Sequence, residues 1–308
     1  MPRIAMVGAG LIGRSWAIVF SSGGWDVALH DAAPGAAQAA LGLVAEGLQQ
    51  LAAQGLITDA KGAAARVRAA ANLADALDGV SYVQESVAET VEAKRAIFAE
   101  LDRLAPPDAI LASSTSTIVA SSFTEGLKGR HRCLVAHPVN PPHLVPLVEL
   151  VGAPWTTPET IEKAKAIYQQ VGQVPIAVKR EIEGFILNRL QAVLLSEAFR
   201  LVEDGYVTPQ DLDKTLKDGL GLRWSFMGPF ATIELNAPGG IPDYCQRYGD
   251  SLSRLGKADA NIYRSPARDL ILSEWGTTPT PAEIATKMAW RDRRLAALKA
   301  HKRGQAEK

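Results

Sequence analysis

The residues able to do chemistry sit in a few short stretches of a 308-residue chain. The first stretch runs Arg3-Ile4-Ala5-Met6-Val7-Gly8-Ala9-Gly10-Leu11-Ile12-Gly13, and Asp31 ends the next apolar run. It reads as a buried strand that breaks into a glycine turn and opens a helix. Gly8 permits the tight turn. Gly10 lets backbone approach a pyrophosphate, and Gly13 lets the helix pack close to the strand. The unpaired N–H groups at the start of that helix, around Leu11 and Ile12, suit the pyrophosphate charge. Gly8, Gly10, Leu11, Ile12 and Gly13 are therefore expected to hold a dinucleotide. Asp31 would accept hydrogen bonds from a free ribose 2′-OH and repel a 2′-phosphate. Ala32, Ala33 and Pro34 follow it, with no cation for a phosphate. NAD is expected rather than NADP. A lesser reading makes Asp31 a turn or cap residue.

A nicotinamide cofactor supplies hydride chemistry, and the protein must supply acid–base groups and substrate contacts. The candidates are Ser113-Ser114-Thr115-Ser116-Thr117, His137-Pro138-Val139-Asn140-Pro141-Pro142-His143 with Glu149 beyond it, and Gly184-Phe185-Ile186-Leu187-Asn188-Arg189. An imidazole, with an ordinary pKa of about 6.5, suits a general base. Taken singly, His137 is as easily a buried packing residue, Glu149 an exposed strand residue and Asn188 a helix-surface residue.

The elements that must position these groups alternate. The pattern predicts strands at 4–7, 26–30, 67–70, 82–84, 109–113, 133–136, 146–151 and 174–178. Helices are predicted at 11–22, 36–54, 58–66, 91–104 and 158–171 between them. This is an α/β, Rossmann-type, doubly wound and mostly parallel sheet. Its strand ends place the Ser116 loop and His137 where ligands bind. After residue 182 only helices are predicted, at 185–205, 209–219, 227–235, 241–255, 266–275 and 281–301, with Thr208 as an N-cap. The expected organisation is a dinucleotide-binding domain over 1–182 and an all-α domain over 183–308.

Composition bounds the rest. Formal net charge is zero, hydrophobic residues are 47% and charged residues 21%. A large core is affordable, and nothing points to nucleic acid or an anionic membrane surface as partner. Cys133 and Cys245 lack metal-ligand spacing, so neither a metal site nor a disulfide framework is expected. No apolar run is membrane-length, and no secretory segment precedes the first strand, so a cytoplasmic location is expected.

The motifs together resemble the 3-hydroxyacyl-CoA dehydrogenase superfamily. That superfamily shows GxGxxG, an (Asn/Ser)-Thr-Ser loop, HxxNP, a later glutamate and GFxxNR. They stand here as Gly8 to Gly13, Ser114 to Ser116, His137 to Pro141, Glu149 and Gly184 to Arg189. The branch features HPVNPP, VPLVELV and GLGLRWSFMGP are similar to the lambda-crystallin branch, the L-gulonate 3-dehydrogenases. The resemblance implies an NAD-dependent oxidation of a 3-hydroxyl. His137 would be the base, Glu149 would fix its tautomer and stabilise its charged form, and Ser116 and Asn188 would hold the reacting oxygen. Asn140 would help place the nicotinamide or substrate, with Glu85 and Lys94 near the cofactor. It also implies a homodimer through the helical domain. The chain departs from the acyl-CoA members at Gln84-Glu85-Ser86, where Val-Glu-Ala is usual. His143 stands where the branch commonly has an aromatic, and with His131 it reads as a surface or packing residue.

Substrate choice turns on charge. Residues 35–65 carry only Glu46, Asp59 and Lys61 as charged groups, a poor surface for the phosphates of coenzyme A, although Arg66 and Arg68 follow it. Arg223 could grip a carboxylate bidentately. The leading expectation is a small free 3-hydroxy acid resembling L-gulonate. 3-Hydroxyacyl-CoA and L-carnitine are the alternatives, the latter through an aromatic cage near Trp224, Phe226 and Phe230. A non-enzymatic alternative is a structural, crystallin-like NAD binder.

Overall fold

The computed structural model describes residues 1–225, 227–238, 240–252, 254–255 and 281–304. Two compact units emerge, one of Met1–Asn188 with Ala285–Lys308 and one of Arg189–Ile284.

The first unit is built on an eight-stranded sheet. In chain order its elements are β1 (Arg3–Val7), α1 (Leu11–Ser22), β2 (Asp26–His30), α2 (Ala36–Ala53), α3 (Ala60–Ala65), β3 (Val67–Ala69), α4 (Leu73–Leu77) and β4 (Tyr82–Glu85). They continue with α5 (Val91–Leu104), β5 (Ile110–Ser113), α6 (Ser121–Thr124), β6 (Cys133–Pro138), β7 (Leu147–Gly152), α7 (Pro158–Gln170) and β8 (Val174–Val178). Strand order is β3-β2-β1-β4-β5-β6-β7-β8. Every pairing is parallel except β6 with β7. The order reverses between β1 and β4, which is where a doubly wound sheet opens its ligand crevice.

The alternation of side chains along each strand explains the two-faced core. Ile4 and Met6 pack with Trp16, Phe20 and Leu48 on one face. Ala5 and Val7 pack with Val83, Phe98 and Leu111 on the other. Trp16, Phe20, Tyr82 and Tyr168 form an aromatic cluster, with Trp16 5.3 Å and Tyr82 5.8 Å from the Tyr168 ring centroid. Such pairs add about 0.5–1.5 kcal/mol each beyond area burial.

Short helical pieces occur where the sequence pattern predicts none, including a 3-10 turn at Arg130–Arg132. The short α4 and α6 lie in stretches without helical periodicity, and α4 is started by Asn72, whose side chain accepts the Asp75 N–H. The predicted helix at 266–275 lies outside the described residues.

The second unit is helical where described. Its elements are α8 (Leu187–Glu203), which starts in the first unit, α9 (Pro209–Lys214), α10 (Gly221–Trp224), α11 (Pro229–Glu234) and α12 (Gly240–Leu252). Thr208 caps α9, accepting the Asp211 N–H. The single helix expected after it widens into a π-helical stretch, Thr215–Leu220, before α10.

The last helix, α13 (Pro281–Arg303), corrects an expectation. The sequence pattern places it in the all-α domain, yet its residues from Ala285 onward belong to the first unit. Ala296 is buried in the sheet unit's core, with Leu295 and Ala300 packed against it. Lys299 donates to the His143 carbonyl at 2.8 Å. Apolar periodicity showed that this segment had a buried face but not which core would bury it.

The glycine turn sets a direct test of the fold. A Cβ on Gly13 would lie 1.8 Å from the Gly8 carbonyl oxygen, a backbone atom. Gly13→Ala should cost roughly 1–3 kcal/mol as helix and turn are forced apart. Urea unfolding checks this, and an unchanged midpoint would mean that α1 does not need its close approach.

Candidate active site

At the glycine turn, Gly8 has φ +106°, a conformation glycine tolerates, and a Cβ there would meet the Ser86 carbonyl oxygen at 2.4 Å. Gly10 is different: a Cβ there would meet nothing within 4 Å. The space above Gly10 is thus open for a pyrophosphate. Helix α1, 12 residues long, begins there with no side-chain cap on its first N–H groups, so those donors remain for an anion.

Asp31 accepts the Ala9 N–H on Oδ2 at 2.7 Å and the Ala33 N–H on Oδ1 at 2.8 Å. It is therefore a turn residue as well. A carboxylate has about four acceptor positions, so two remain for ribose hydroxyls. Asp31 also lines a surface groove with Ala32, Ala33, Ala69 and Asn72. This donor and acceptor set fits a dinucleotide.

His137 and Glu149 face each other because β6 and β7 run antiparallel in a register that places them directly opposite. Cross-strand partners on one face lie within side-chain reach. His137 Nδ1 is 2.8 Å from Glu149 Oε2, and both side chains are buried. The other carboxylate oxygen, Oε1, accepts the N–H groups of Ile186 at 2.8 Å and Leu187 at 3.1 Å. Those donors open α8, where a negative charge is favoured. Burial alone would raise the Glu149 carboxyl pKa. The His137 ring and the two backbone donors outweigh it and hold the group below the usual carboxylate value. Nδ1 is thus committed to an anion, and Nε2 is left as the nitrogen that can take a proton.

Phe185 closes the imidazole's surroundings. Its ring centroid is 5.2 Å from that of His137, it is fully buried, and its φ is +50°. A non-glycine residue with positive φ is strained. The strain is held between Gly184 and the anchored start of α8.

The anchored first turn of α8 also carries Asn188. Its Nδ2 donates to the Ser116 carbonyl at 2.8 Å. Asn188 and the exposed Ser116 are thereby brought together, as the family resemblance implies. Asn140 is exposed just past β6. Arg223 is exposed on α10 in the second unit.

Glu85 takes a different place from the one expected. It is wholly buried, and its oxygens accept from Lys94 Nζ at 3.2 Å, Ser113 Oγ at 2.5 Å and the Val87 N–H at 2.6 Å. No surface remains for direct cofactor contact, so Glu85 acts as a buried counter-ion to Lys94. Lys94 is itself 1% exposed and reaches Glu89 at 3.2 Å. Glu89 is the residue that sequence reasoning missed. It is 41% exposed and gathers the Ser116 loop, accepting from Thr115 Oγ1 at 2.5 Å and the Ser116 N–H at 2.7 Å. Burial works to raise its carboxyl pKa, but Thr115, Lys94 and Ser116 together bring it below the usual value. Its place shortly before α5, on the approach to Lys94, was the available signal. His143 lines a hollow with Leu51 and Ala296, which suits a packing role.

The class is now defined: a Rossmann dinucleotide-binding unit carrying a carboxylate-backed imidazole at its strand ends. Comparison with known proteins makes it specific. Residues 3–182 match the family model described as 3-hydroxyacyl-CoA dehydrogenase, NAD binding domain, and residues 184–265 match that family's C-terminal domain. Lambda-crystallin of Oryctolagus cuniculus is 41% identical over 306 residues, 96% of each chain. An L-carnitine dehydrogenase of Pseudomonas sp is 41% identical over 249 residues, 80% of this chain and 77% of that one. Among solved structures, an NAD+-dependent dismutase, 5-formyl-3-hydroxy-2-methylpyridine 4-carboxylic acid 5-dehydrogenase, superposes with TM-score 0.85 at 27% identity. It covers 99% of this chain and 100% of its own. The chain belongs to the 3-hydroxyacyl-CoA dehydrogenase family, and its cofactor is NAD. Among the described residues no helix is long and apolar enough to cross a membrane, and no cluster of metal-ligating side chains occurs.

The Glu149 environment gives a pH test. A carboxyl pKa lowered by folding stabilises the native state above the ordinary glutamate value of about 4.3. That stabilisation is lost as pH falls through the lower folded value. Glu149→Gln should therefore be less stable than the parent at pH 7, with the gap closing on acidification below pH ~4. Urea titrations across pH check this. A gap independent of pH would show that Glu149's charge contributes nothing.

Proposed function

We propose that the protein oxidises the 3-hydroxyl of a small free 3-hydroxy acid, L-gulonate-like, to the 3-keto acid. The observation that carries this reading is the 2.8 Å contact between His137 Nδ1 and Glu149. It leaves one imidazole nitrogen for a substrate proton and supplies a fixed anion behind the charge that forms.

In this reading the substrate's 3-hydroxyl donates its proton to His137 Nε2 as the C3–H bond breaks. Bound NAD supplies the hydride acceptor. The ring becomes imidazolium, and Glu149 stabilises it without moving, because both carboxylate oxygens are already held. Ser116 Oγ and the second N–H of the Asn188 amide hydrogen-bond the reacting oxygen as it becomes a carbonyl. Asn140 orients the nicotinamide amide or the substrate. Lys94, Glu85 and Glu89 act one step back, by fixing the loop that carries Ser116.

The free acid is favoured over an acyl-CoA by the surface of α2 and α3. Glu46, Asp59 and Lys61 are the charged residues across both helices and their connecting turn. Arg223 is the proposed partner of the substrate carboxylate, its planar fork matching two oxygens at once. The similarity to L-carnitine dehydrogenases supports a second reading, in which the 3-hydroxy acid carries a quaternary ammonium. Exposed Leu190, Val193, Leu222 and Phe230 support a homodimer through the helical domain. A cytoplasmic location completes the proposal.

An NAD-linked turnover panel of L-gulonate, L-carnitine, 3-hydroxybutyrate and 3-hydroxybutyryl-CoA separates the substrate readings, with L-gulonate expected to be fastest. His137→Asn should lower turnover by about 10²–10⁴-fold while NAD binding, followed by calorimetry, persists. Unchanged turnover in that variant would remove His137 as the base. Absence of turnover on every substrate by the parent protein would favour a structural NAD binder.

A further inference from the structure

A buried chain of hydrogen bonds runs through the sheet unit and ends beside the glycine turn. Tyr82 OH donates to Tyr168 OH at 3.1 Å, and Tyr168 OH donates to Gln84 Oε1 at 2.5 Å. Gln84 Nε2 donates to Ser114 Oγ at 2.6 Å, with a longer contact to the Ala136 carbonyl at 3.4 Å. Trp16 Nε1 also donates to Ser114 Oγ, at 3.1 Å. Ser114 Oγ lies 2.9 Å from Ser86 Oγ. Tyr82, Tyr168, Gln84 and Trp16 are all fully buried. Burial pushes both tyrosine hydroxyls well above their ordinary titration range, so both remain donors.

Counting hydrogens fixes the direction of the last link. A hydroxyl offers one hydrogen and two lone pairs. An indole N–H can only donate, so Trp16 occupies one lone pair of Ser114. Gln84 presents its amide N–H₂ because its oxygen already accepts from Tyr168, and so occupies the other. Ser114 must then give its single hydrogen to Ser86. Ser86 is left with its own hydrogen, and among the described residues no acceptor takes it. Each link polarises the next, by about 10–30% per bond in condensed-phase estimates.

Ser86 is half-buried and stands where that hydrogen has a use. It directly follows β4, at the point where strand order reverses from β1. Its N–H donates to the Val7 carbonyl at 2.7 Å. Its carbonyl abuts Gly8, and its Cβ lies 3.9 Å from where a Cβ on Gly13 would stand.

We propose that Ser86 is a further cofactor-binding residue, donating a hydrogen bond to an acceptor oxygen of NAD beside the glycine turn, with its polarity set by Tyr82, Tyr168, Gln84 and Ser114. The inference rests on the glycine turn as the pyrophosphate site. It assigns a role to the Gln84 and Ser86 positions at which the chain departs from the Val-Glu-Ala pattern.

Isothermal titration with NAD tests it without reference to turnover. Ser86→Ala should weaken NAD binding about five- to tenfold, the size of one net hydrogen bond. Tyr168→Phe touches no cofactor, but it frees the Gln84 amide to turn and Ser114 to reverse, so it should also weaken binding. The double variant should bind no more weakly than Ser86→Ala alone, because the relay acts only through Ser86. Unchanged affinity in Ser86→Ala would overturn the proposal, and strictly additive losses would overturn the relay. Asp31→Ala is the reference. If it too leaves affinity unchanged, the cofactor site itself is misplaced. If it weakens binding while Ser86→Ala does not, only the Ser86 assignment fails.

Discussion

The site depends on one carboxylate that does two things at once. Glu149 Oε2 holds the imidazole of His137, and Glu149 Oε1 holds the first N–H groups of α8. A side chain that is free to rotate could orient a ring only loosely. This one is pinned at both oxygens, so the ring's tautomer and the start of the helix are set together. The same anchor fixes Asn188 against the Ser116 backbone and holds Phe185 in its strained conformation over the ring. Candidate site residues distant in sequence are thus referred to a single buried charge.

The cofactor side is organised by the opposite means. There the backbone supplies most of the groups, and side chains are kept away. Gly13 is needed for close approach to Gly8, Gly8 for its positive φ, and Gly10 for open space. The charges near the Ser116 loop are internal. Lys94 is buried between Glu85 and Glu89, so that a cation without a partner would be costly. Buried Glu85 neutralises it, and part-exposed Glu89 uses it to gather the loop. Polar groups in the core, from Tyr82 to Ser114, are linked end to end, which is what low-dielectric surroundings require of them.

Much of this was legible in the sequence. The glycine turn, Asp31 and the alternation of strands and helices each have a local signature, because turn geometry and side-chain periodicity are local properties. His137, Ser116 and Asn188 were found through motifs. What remained hidden was non-local. Glu149 is tied to His137 through the family motif alone, because nothing in its own neighbours announces that β7 will run antiparallel to β6 in the register that places the two opposite. Glu85 and Glu89 look alike in sequence, yet one ends a buried strand and the other lies in the loop before α5. The partners of Gln84 include Tyr168, 84 residues away, with no spacing rule to announce it. The final helix showed an apolar face but could not name its core. It packs on the sheet unit, where its neighbours are His143 and the residues around Leu51.

The central claim is that Glu149 fixes the ring of His137 with Nδ1 protonated and Nε2 free. Nitrogen-15 NMR of the histidine-labelled protein near neutral pH reads this directly, with His137→Asn used to assign the signal among the five histidines. The account predicts a protonated, hydrogen-bonded Nδ1 and an unprotonated Nε2 for His137, with the Nδ1 proton signal moving in Glu149→Gln. A His137 ring carrying its proton on Nε2, or one indifferent to Glu149, would contradict it.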